Sequence, residues 1–401
     1  RKGGHRGLGM HAVVSRCERW HGGRSIRSPL LFLPLSLSSP SSLASSSLSS
    51  SSSVPSLSLH PFVASSAPQV RFLRRPAFTE LKMQKSWGRD LSFSRQGGEG
   101  VAGTVVVVGD GNLSYSLALK QAFPSLNLLA TTFDPFHVLE ERYGAVEAIK
   151  ELKSLGAAVM HEVDATNMAQ TVGAHYRADC IIFNFPHHPG KGKIHKNREL
   201  LRGFFLSAAN HLTSIGEIRV ALCAGQGGTP QDKPRCWGDS WQITAQAAAA
   251  GLILIRMFPF EAPEGYSSSG YKSQNKGFRT EEGLVHVFVP DDRGFRGIHP
   301  PTWAHDISMW VKRSFQDDDF IQLALSHPEV YSVQRFDSFE RKSLPPAARD
   351  VFKDLPEEYQ ESRSFRVMYR SETKAISQEL ARDLQLKLRE EAVTELRIVL
   401  R

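Results

Sequence analysis

Cysteine is scarce in this 401-residue chain, which has only Cys17, Cys180, Cys223 and Cys236. They form no C-x-x-C pair and no disulfide-like spacing, so they read as plain thiols of a reduced compartment, and no metal is expected. No apolar run reaches the ~18–20 residues that span a bilayer, which excludes a membrane helix from expectation. Acid is nearly missing from the first 79 residues, where ten Lys/Arg face Glu18 alone; the other residues then sum to −1, although the whole chain carries +8. With the later residues near neutral, bulk charge argues for no polyanionic partner, and any basic binding surface must be local. A methionine start is lacking too: the chain opens on Arg1, which reads as a translated fragment or an imperfect gene model, with Met10 the first start.

Residues 36–58 are mostly serine, and "RFLRRPAF" follows at 71–78. Such a composition cannot bury a core. A Ser-rich, Arg-rich, acid-poor leader reads as an organellar transit peptide, for chloroplast or mitochondrion. The competing reading is low-complexity sequence wrongly joined to the chain, which returns the protein to the cytoplasm or nucleolus. Residues 1–98 are set aside from fold reasoning on either reading.

The remaining length suffices for two domains at ~150 residues each. From Gly103, β-branched runs at 104–109, 127–133, 157–163, 179–185, 216–223, 252–258 and 284–289 alternate with helical patterns. The helices are expected near 113–122, 138–155, 165–176, 197–213 and 238–250. This alternation predicts a parallel α/β sheet covered on both faces. A long Gly/Ser/Lys loop, not a helix, precedes the seventh strand, which allows that strand to run antiparallel. Six alternating strands with an irregular seventh outline a class I methyltransferase (Rossmann-like) sheet.

Ligands of such sheets sit at the carboxyl ends of the strands. After the first strand comes "GDGNLSYS" (109–116). Gly109 and Gly111 let the backbone turn sharply beside a ligand, and Asn112 or Ser114 can cap the next helix. A dinucleotide fingerprint needs a third glycine where Ser114 stands, which counts against a nicotinamide enzyme. The second strand ends at Asp134, placed to accept ribose hydroxyls, and the third at Asp164, placed to meet an adenine edge. Each reads equally well as a helix cap. The fourth strand runs from apolar residues into Asn184-Phe185-Pro186-His187. An amide there can hold the N–H edge of a planar base, and Phe185 or His187 can stack on it. Lys191, Lys193, Lys196 and Arg198 follow as a local phosphate-binding patch.

The stretches "VVVVGDGNLSYSLAL", "LATTFD", "VDAT", "IIFNFPHHPGKGKIHKNRELLRGFF" and "GEIRVALCAGQ" together resemble the large-subunit rRNA (uridine-N3) methyltransferase-like domain, over about residues 103–290. The resemblance implies S-adenosyl-L-methionine as cofactor and N3 of a uridine as methyl acceptor. Gly109, Asp110 and Gly111 would cradle the methionine part, with Asn112 and Ser114 in the same turn; Asp134 would take the ribose and Asp164 the adenine. Asn184 and His187 would stand at the reacting centre, Phe185 and Pro186 beside the uridine, and Lys191, Lys193 and Lys196 on phosphates. "GYKSQNKGF" (270–278) is similar to the family's substrate-side insertion. The chemistry removes an imide proton before attack on a sulfonium methyl; the base is His187 or solvent.

A Pro/Gly-rich hinge at 289–301 precedes a second pattern. Strands are expected at 303–311, 330–339, 363–371 and 395–401, with helices at 317–326 and 375–394. That β-α-β-β-α-β order is ferredoxin-like. With "HDISMWV", "SFRVMYRS" and "SQELARDLQLKLREE" it resembles the ferredoxin-fold anticodon-binding domain of phenylalanyl-tRNA synthetases. The domains are expected at 1–98 (leader), 99–292 and 293–401. The partner implied is RNA, rRNA by the first resemblance and tRNA by the second. The alternative is a non-catalytic RNA-binding or assembly protein that has kept the methyltransferase fold.

Overall fold

The computed structural model describes residues 103–189, 193–269, 279–346 and 351–401. The leader (1–98), Lys191 and the 270–278 stretch lie outside the described residues.

Seven strands make the first sheet: β1 Thr104–Val108, β2 Asn127–Thr131, β3 Ala158–Met160, β4 Ala178–Asn184, β5 Leu212–Leu222, β6 Leu252–Pro259 and β7 Leu284–Pro290. Their order is β3-β2-β1-β4-β5-β7-β6. Strands β1 to β5 pair in parallel. β7 runs antiparallel between β5 and β6. This is the class I methyltransferase arrangement, and the strand order reverses between β1 and β4, where open sheets place their ligands.

The period of two in the valine run of β1 explains the layering. Val105 and Val107 join Leu128, Ala130, Cys180 and Ile182 beneath helices α1 (Ser114–Ala122) and α2 (Val146–Ser154). Val106 and Val108 face the other way with Ile181, Phe183 and Val220, under α3 (Ile194–Ala209) and α4 (Ile243–Ala248). Phe204 and Phe205 of α3 are wholly buried there, each contributing about 1.5–3 kcal/mol by burial.

Three expected helices are shorter than their patterns. The 138–155 stretch breaks at Gly144, whose φ of +60° ends a π turn at Leu139–Tyr143 before α2 begins. The 165–176 stretch forms no α-helix. It holds a 3-10 turn at Ala165–Asn167 and a π turn at Ala169–Gly173, where the Thr171 hydroxyl bonds back to Asn167 O at 3.0 Å and competes with the helical ladder. The 238–250 stretch is helical only from Ile243, because Gln242 sits in the left-handed region at φ +54°.

The second sheet holds β8 (Trp303–Lys312), β9 (Val330–Glu340), β10 (Tyr359–Tyr369) and β11 (Val399–Leu400). Its order is β11-β8-β10-β9, antiparallel throughout, the ferredoxin-like arrangement the sequence order predicts. Helices α5 (Asp317–Leu325) and α6 (Gln378–Leu396) cover one face, burying Ile307, Met309, Phe365 and Val367 against Phe320 and Leu388. Three aspartates in the first turn of α5 suit the positive end of its dipole.

The expected hinge is pinned. Ile298 N donates to Leu254 O and Gly297 N to Glu372 O, both at 2.6 Å. Ala375 N donates to the Asp291 carboxylate at 2.8 Å, and Arg202 of α3 pairs with Glu379 of α6 at 2.9 Å. The two sheets therefore pack into one compact unit.

Gly109, at the end of β1, has φ +65°, and a Cβ there would stand 2.9 Å from the Phe183 ring. Gly109→Ala is expected to lower stability by about 1–3 kcal/mol in denaturant unfolding. An unchanged midpoint would show that the turn relaxes freely.

Candidate functional site

Because β1, β2, β3 and β4 are parallel, their carboxyl ends share one edge of the sheet. Close approaches link the first two of those ends. A Cβ on Gly111 would lie 3.8 Å from the Tyr143 ring, and the Tyr143 hydroxyl donates to the Asp134 carboxylate at 3.1 Å. Tyr143 thus connects the turn after β1 to the end of β2. Sequence reasoning missed it; its only signal was a tyrosine directly before the helix-ending Gly144.

The turn after β1 is braced by its own polar side chains. The Asp110 carboxylate is turned inward and accepts from Ser116 N and Ser116 Oγ, both at 2.7 Å. Burial pushes its pKa up. Through Ser116 it braces the first turn of α1. Asn112 Oδ1 accepts from Ser114 N at 3.2 Å at the start of α1, the capping role one of these two residues was expected to take, and both side chains also fasten the β6–β7 connection. Asn112 Nδ2 donates to Ser267 O and Oγ at 3.0 Å, and Ser114 Oγ accepts from Ser267 N at 3.1 Å. Tyr266 of that connection packs edge-on against Tyr115, with ring centroids 6.0 Å apart. The glycines alone remain as backbone that can approach a ligand.

At the end of β3, Asp164 Oδ1 accepts from Thr166 N at 2.8 Å and Thr166 Oγ1 at 2.7 Å. Of the two readings open to this carboxylate, the structure displays the cap. His161 lies nearby, 2.9 Å from the Thr132 hydroxyl and against the Phe136 ring.

The end of β4 is the most unusual part of the cleft. Both polar atoms of the Asn184 side chain are buried without a hydrogen-bond partner among the described residues. The amide lies beside the Tyr115 hydroxyl, and its contact with that hydroxyl opposes the upward push of burial on the Tyr115 pKa. A buried amide without full hydrogen bonding forfeits about 1–3 kcal/mol. Phe185, expected to stack on a base, is instead core: it is buried, sits at φ +49°, and packs on Phe260 with centroids 4.7 Å apart. Pro186 is buried beside it. His187 is half-buried, edge-on to Trp241 at 5.1 Å. Its Nδ1 lies 2.9 Å from Phe185 O. A carbonyl only accepts, so Nδ1 carries the proton and Nε2 is the basic nitrogen of the neutral ring.

The basic patch is smaller than expected. Lys193 is exposed ahead of α3, and Lys196 pairs with Glu199 at 2.8 Å. Arg198 does not face solvent phosphates. Its guanidinium donates to Ser240 O at 2.6 Å and Gly238 O at 2.7 Å, clamping the loop after β5.

Another residue missed was His286, the single polar side chain within "LVHVFV". It stands mid-sheet, with Nδ1 3.3 Å from Val220 O and Nε2 buried without a partner among the described residues. Burial lowers its pKa from 6.5 to about 4. Between those values the unfolded chain holds a proton on this ring that the folded chain refuses. Stability from this residue is therefore complete above pH 6.5 and is lost as pH falls toward 4, at up to about 1.4 kcal/mol per pH unit. Unfolding titrations of His286→Gln should show a shallower acid decline than wild type. Equal slopes would remove His286 as a cause.

Parts of the chain are similar to known proteins. The BMT5-like family model, described as rRNA (uridine-N3-)-methyltransferase BTM5-like, matches residues 106–275. The ferredoxin-fold anticodon-binding domain-containing protein 1 homolog of Mus musculus is 43% identical over 204 residues, covering 50% of this chain and 33% of its own length. The Homo sapiens protein of that name is 44% identical over 190 residues, covering 46% and 30%. The chain thus spans about a third of the length of these relatives. An uncharacterized protein of Arabidopsis thaliana is 33% identical over 225 residues, covering 52% of this chain and 99% of its own length. Among solved structures, the glycopeptide N-methyltransferase MtfA complexed with S-adenosyl-L-methionine aligns over 51% of this chain and 85% of its own, at 13% identity and a TM-score of 0.31. With one relative matched along nearly its whole length and the family model falling on the sheet and cleft described above, the chain belongs to the BMT5-like family.

Proposed function

We propose that this chain is an S-adenosyl-L-methionine-dependent methyltransferase acting on N3 of a uridine in ribosomal RNA. The observation that carries the reading is the Asn184 amide, whose two polar atoms are buried at the switch edge of the sheet with the Tyr115 hydroxyl as their one neighbouring polar group among the described contacts. Uracil presents a carbonyl–imide–carbonyl edge, and a carboxamide offers the matching donor and acceptor. The residues present also suit the cofactor. Gly109 and Gly111 give a turn that a Cβ would crowd, and Asp134 faces the cleft beside Tyr143. In this reading Asp134 holds the ribose, and the glycine backbone lies against the methionine part.

When bound, the cofactor supplies an electrophilic sulfonium methyl. The chain orients the base and handles its proton. Asn184 fixes the imide edge, and His187 Nε2 is the candidate acceptor for the N3 proton, its tautomer held by Phe185 O. Much of the rate gain comes from this positioning.

The open face of the second sheet supports RNA as the partner. Phe336 is 51% exposed with Arg366 5.2 Å from its ring centre, and Tyr331 is 63% exposed with Arg370 at 5.1 Å. Exposed rings with guanidinium groups suit unpaired bases and their phosphates.

Calorimetry of the whole chain with S-adenosyl-L-methionine tests the cofactor reading. Asp134→Ala is expected to weaken binding by about 1.5–3 kcal/mol, the range of a hydrogen bond to a charged group, with unfolding unchanged. No binding by wild type would leave a non-catalytic RNA-binding protein, and an unchanged constant in the variant would reduce Asp134 to a partner of Tyr143.

A further inference from the structure

The loop from Cys223 to Trp241, after β5, belongs to no role assigned above. It is long and rich in glycine, yet its ends are locked. The Asp232 carboxylate, buried, accepts from Gly225 N at 2.5 Å and from Gly227 N and Lys233 N at 2.8 Å. Trp241 N donates to Gln226 O at 2.7 Å. Arg198 of α3 clamps the far side through Gly238 O and Ser240 O. Between the buried Asp232 and the buried Ser240, every residue from Lys233 to Asp239 is exposed. This is an outward-facing segment on a rigid base.

Its position is fixed relative to the cleft. β5 lies beside β4, with Ala221 opposite Asn184. The His187 ring meets Trp241 edge-on at the end of the same loop. The exposed segment thus follows directly from the strand that pairs with the end of β4 at Asn184. It carries Lys233, Arg235 and Trp237, the last 43% exposed. Lys193, ahead of α3, is a further exposed cation. The acids nearby are accounted for: Asp232 is buried under backbone donors, Glu199 pairs with Lys196, and Asp239 stands next to Arg198. A tryptophan ring left 43% exposed keeps apolar surface in water, and the cations Lys233 and Arg235 of the same exposed segment suit a phosphate chain.

We propose that Lys233, Arg235 and Trp237 hold the RNA strand next to the target uridine. Trp237 stacks on a neighbouring base, and Lys233 and Arg235 contact the phosphates that flank it. This rests on the reading of the cleft as an RNA-methylating site. A preformed loop of this kind keeps the strand ordered on binding, so less ordering entropy opposes presentation of the target base.

The test uses the whole chain and a labelled, uridine-rich single-stranded oligoribonucleotide, with binding followed by anisotropy at several salt concentrations. Lys233→Ala with Arg235→Ala should reduce the slope of log K against log salt by about 1.4, two phosphate contacts at ~0.7 each. Trp237→Ala should weaken binding about tenfold with the salt slope unchanged, and Trp237→Phe should restore most of it. S-adenosyl-L-methionine affinity should stay at the wild-type value in all three. Wild-type binding with slopes and affinities unaltered in the variants overturns this assignment and leaves the cleft reading intact. Failure of wild type to bind the RNA overturns it together with the RNA reading on which it rests.

Discussion

Burial of both faces of the seven-stranded sheet is the constraint from which the rest follows. Val105 and Val107 enter one layer and Val106 and Val108 the other, and the same alternation continues in β4 with Cys180, Ile181, Ile182 and Phe183. A strand of this kind has little room for a polar side chain along its length. Most polar groups are driven to the carboxyl edge, and β4 ends in Asn184. The exceptions within the sheet carry partners or altered protonation: Arg219 is paired with Glu217 at 2.5 Å, and burial holds His286 neutral until strongly acid pH. The same burial pushes the Cys180 thiol up to about 12, so it packs as an apolar group.

Much of this was legible in the sequence because it depends on local pattern. The valine run, the Gly-x-Gly turn and the Gly/Ser/Lys loop before the last strand lead to the sheet and to a seventh strand free to reverse. The β-α-β-β-α-β order of the second sheet was readable for the same reason. Contacts between distant residues were not. Nothing near Asn112 and Ser114 indicates that Ser267 would take their side chains, nor does "HHPGKGKIHKNR" indicate that Arg198 turns away to hold Ser240. Phe185 looked like a stacking ring because it follows Asn184. Its left-handed backbone and the Phe260 ring draw it into the core instead. Helix ends were misjudged where a single residue adopts positive φ, at Gly144 and Gln242.

The connection between the sheets has a physical consequence. Backbone bonds from Gly297 and Ile298, the Asp291–Ala375 contact and the Arg202–Glu379 pair tie the second sheet to α3 and β6. The last is exposed and worth little alone, but the backbone bonds fix geometry. On the proposed reading, the distance from Phe336 and Tyr331 to Asn184 is then set by the fold.

The central claim is that the buried amide of Asn184 exists to hold the base that receives the methyl group. Its direct test is methyl transfer from labelled S-adenosyl-L-methionine to ribosomal RNA, followed by digestion and identification of the nucleoside by mass spectrometry. Wild type is expected to yield N3-methyluridine. Asn184→Ala should lower the yield about a hundredfold, the scale for loss of one well-placed polar group in an active site, while cofactor affinity stays within twofold. Transfer by Asn184→Ala at the wild-type rate, or no methylated uridine from wild type with cofactor bound, would contradict it.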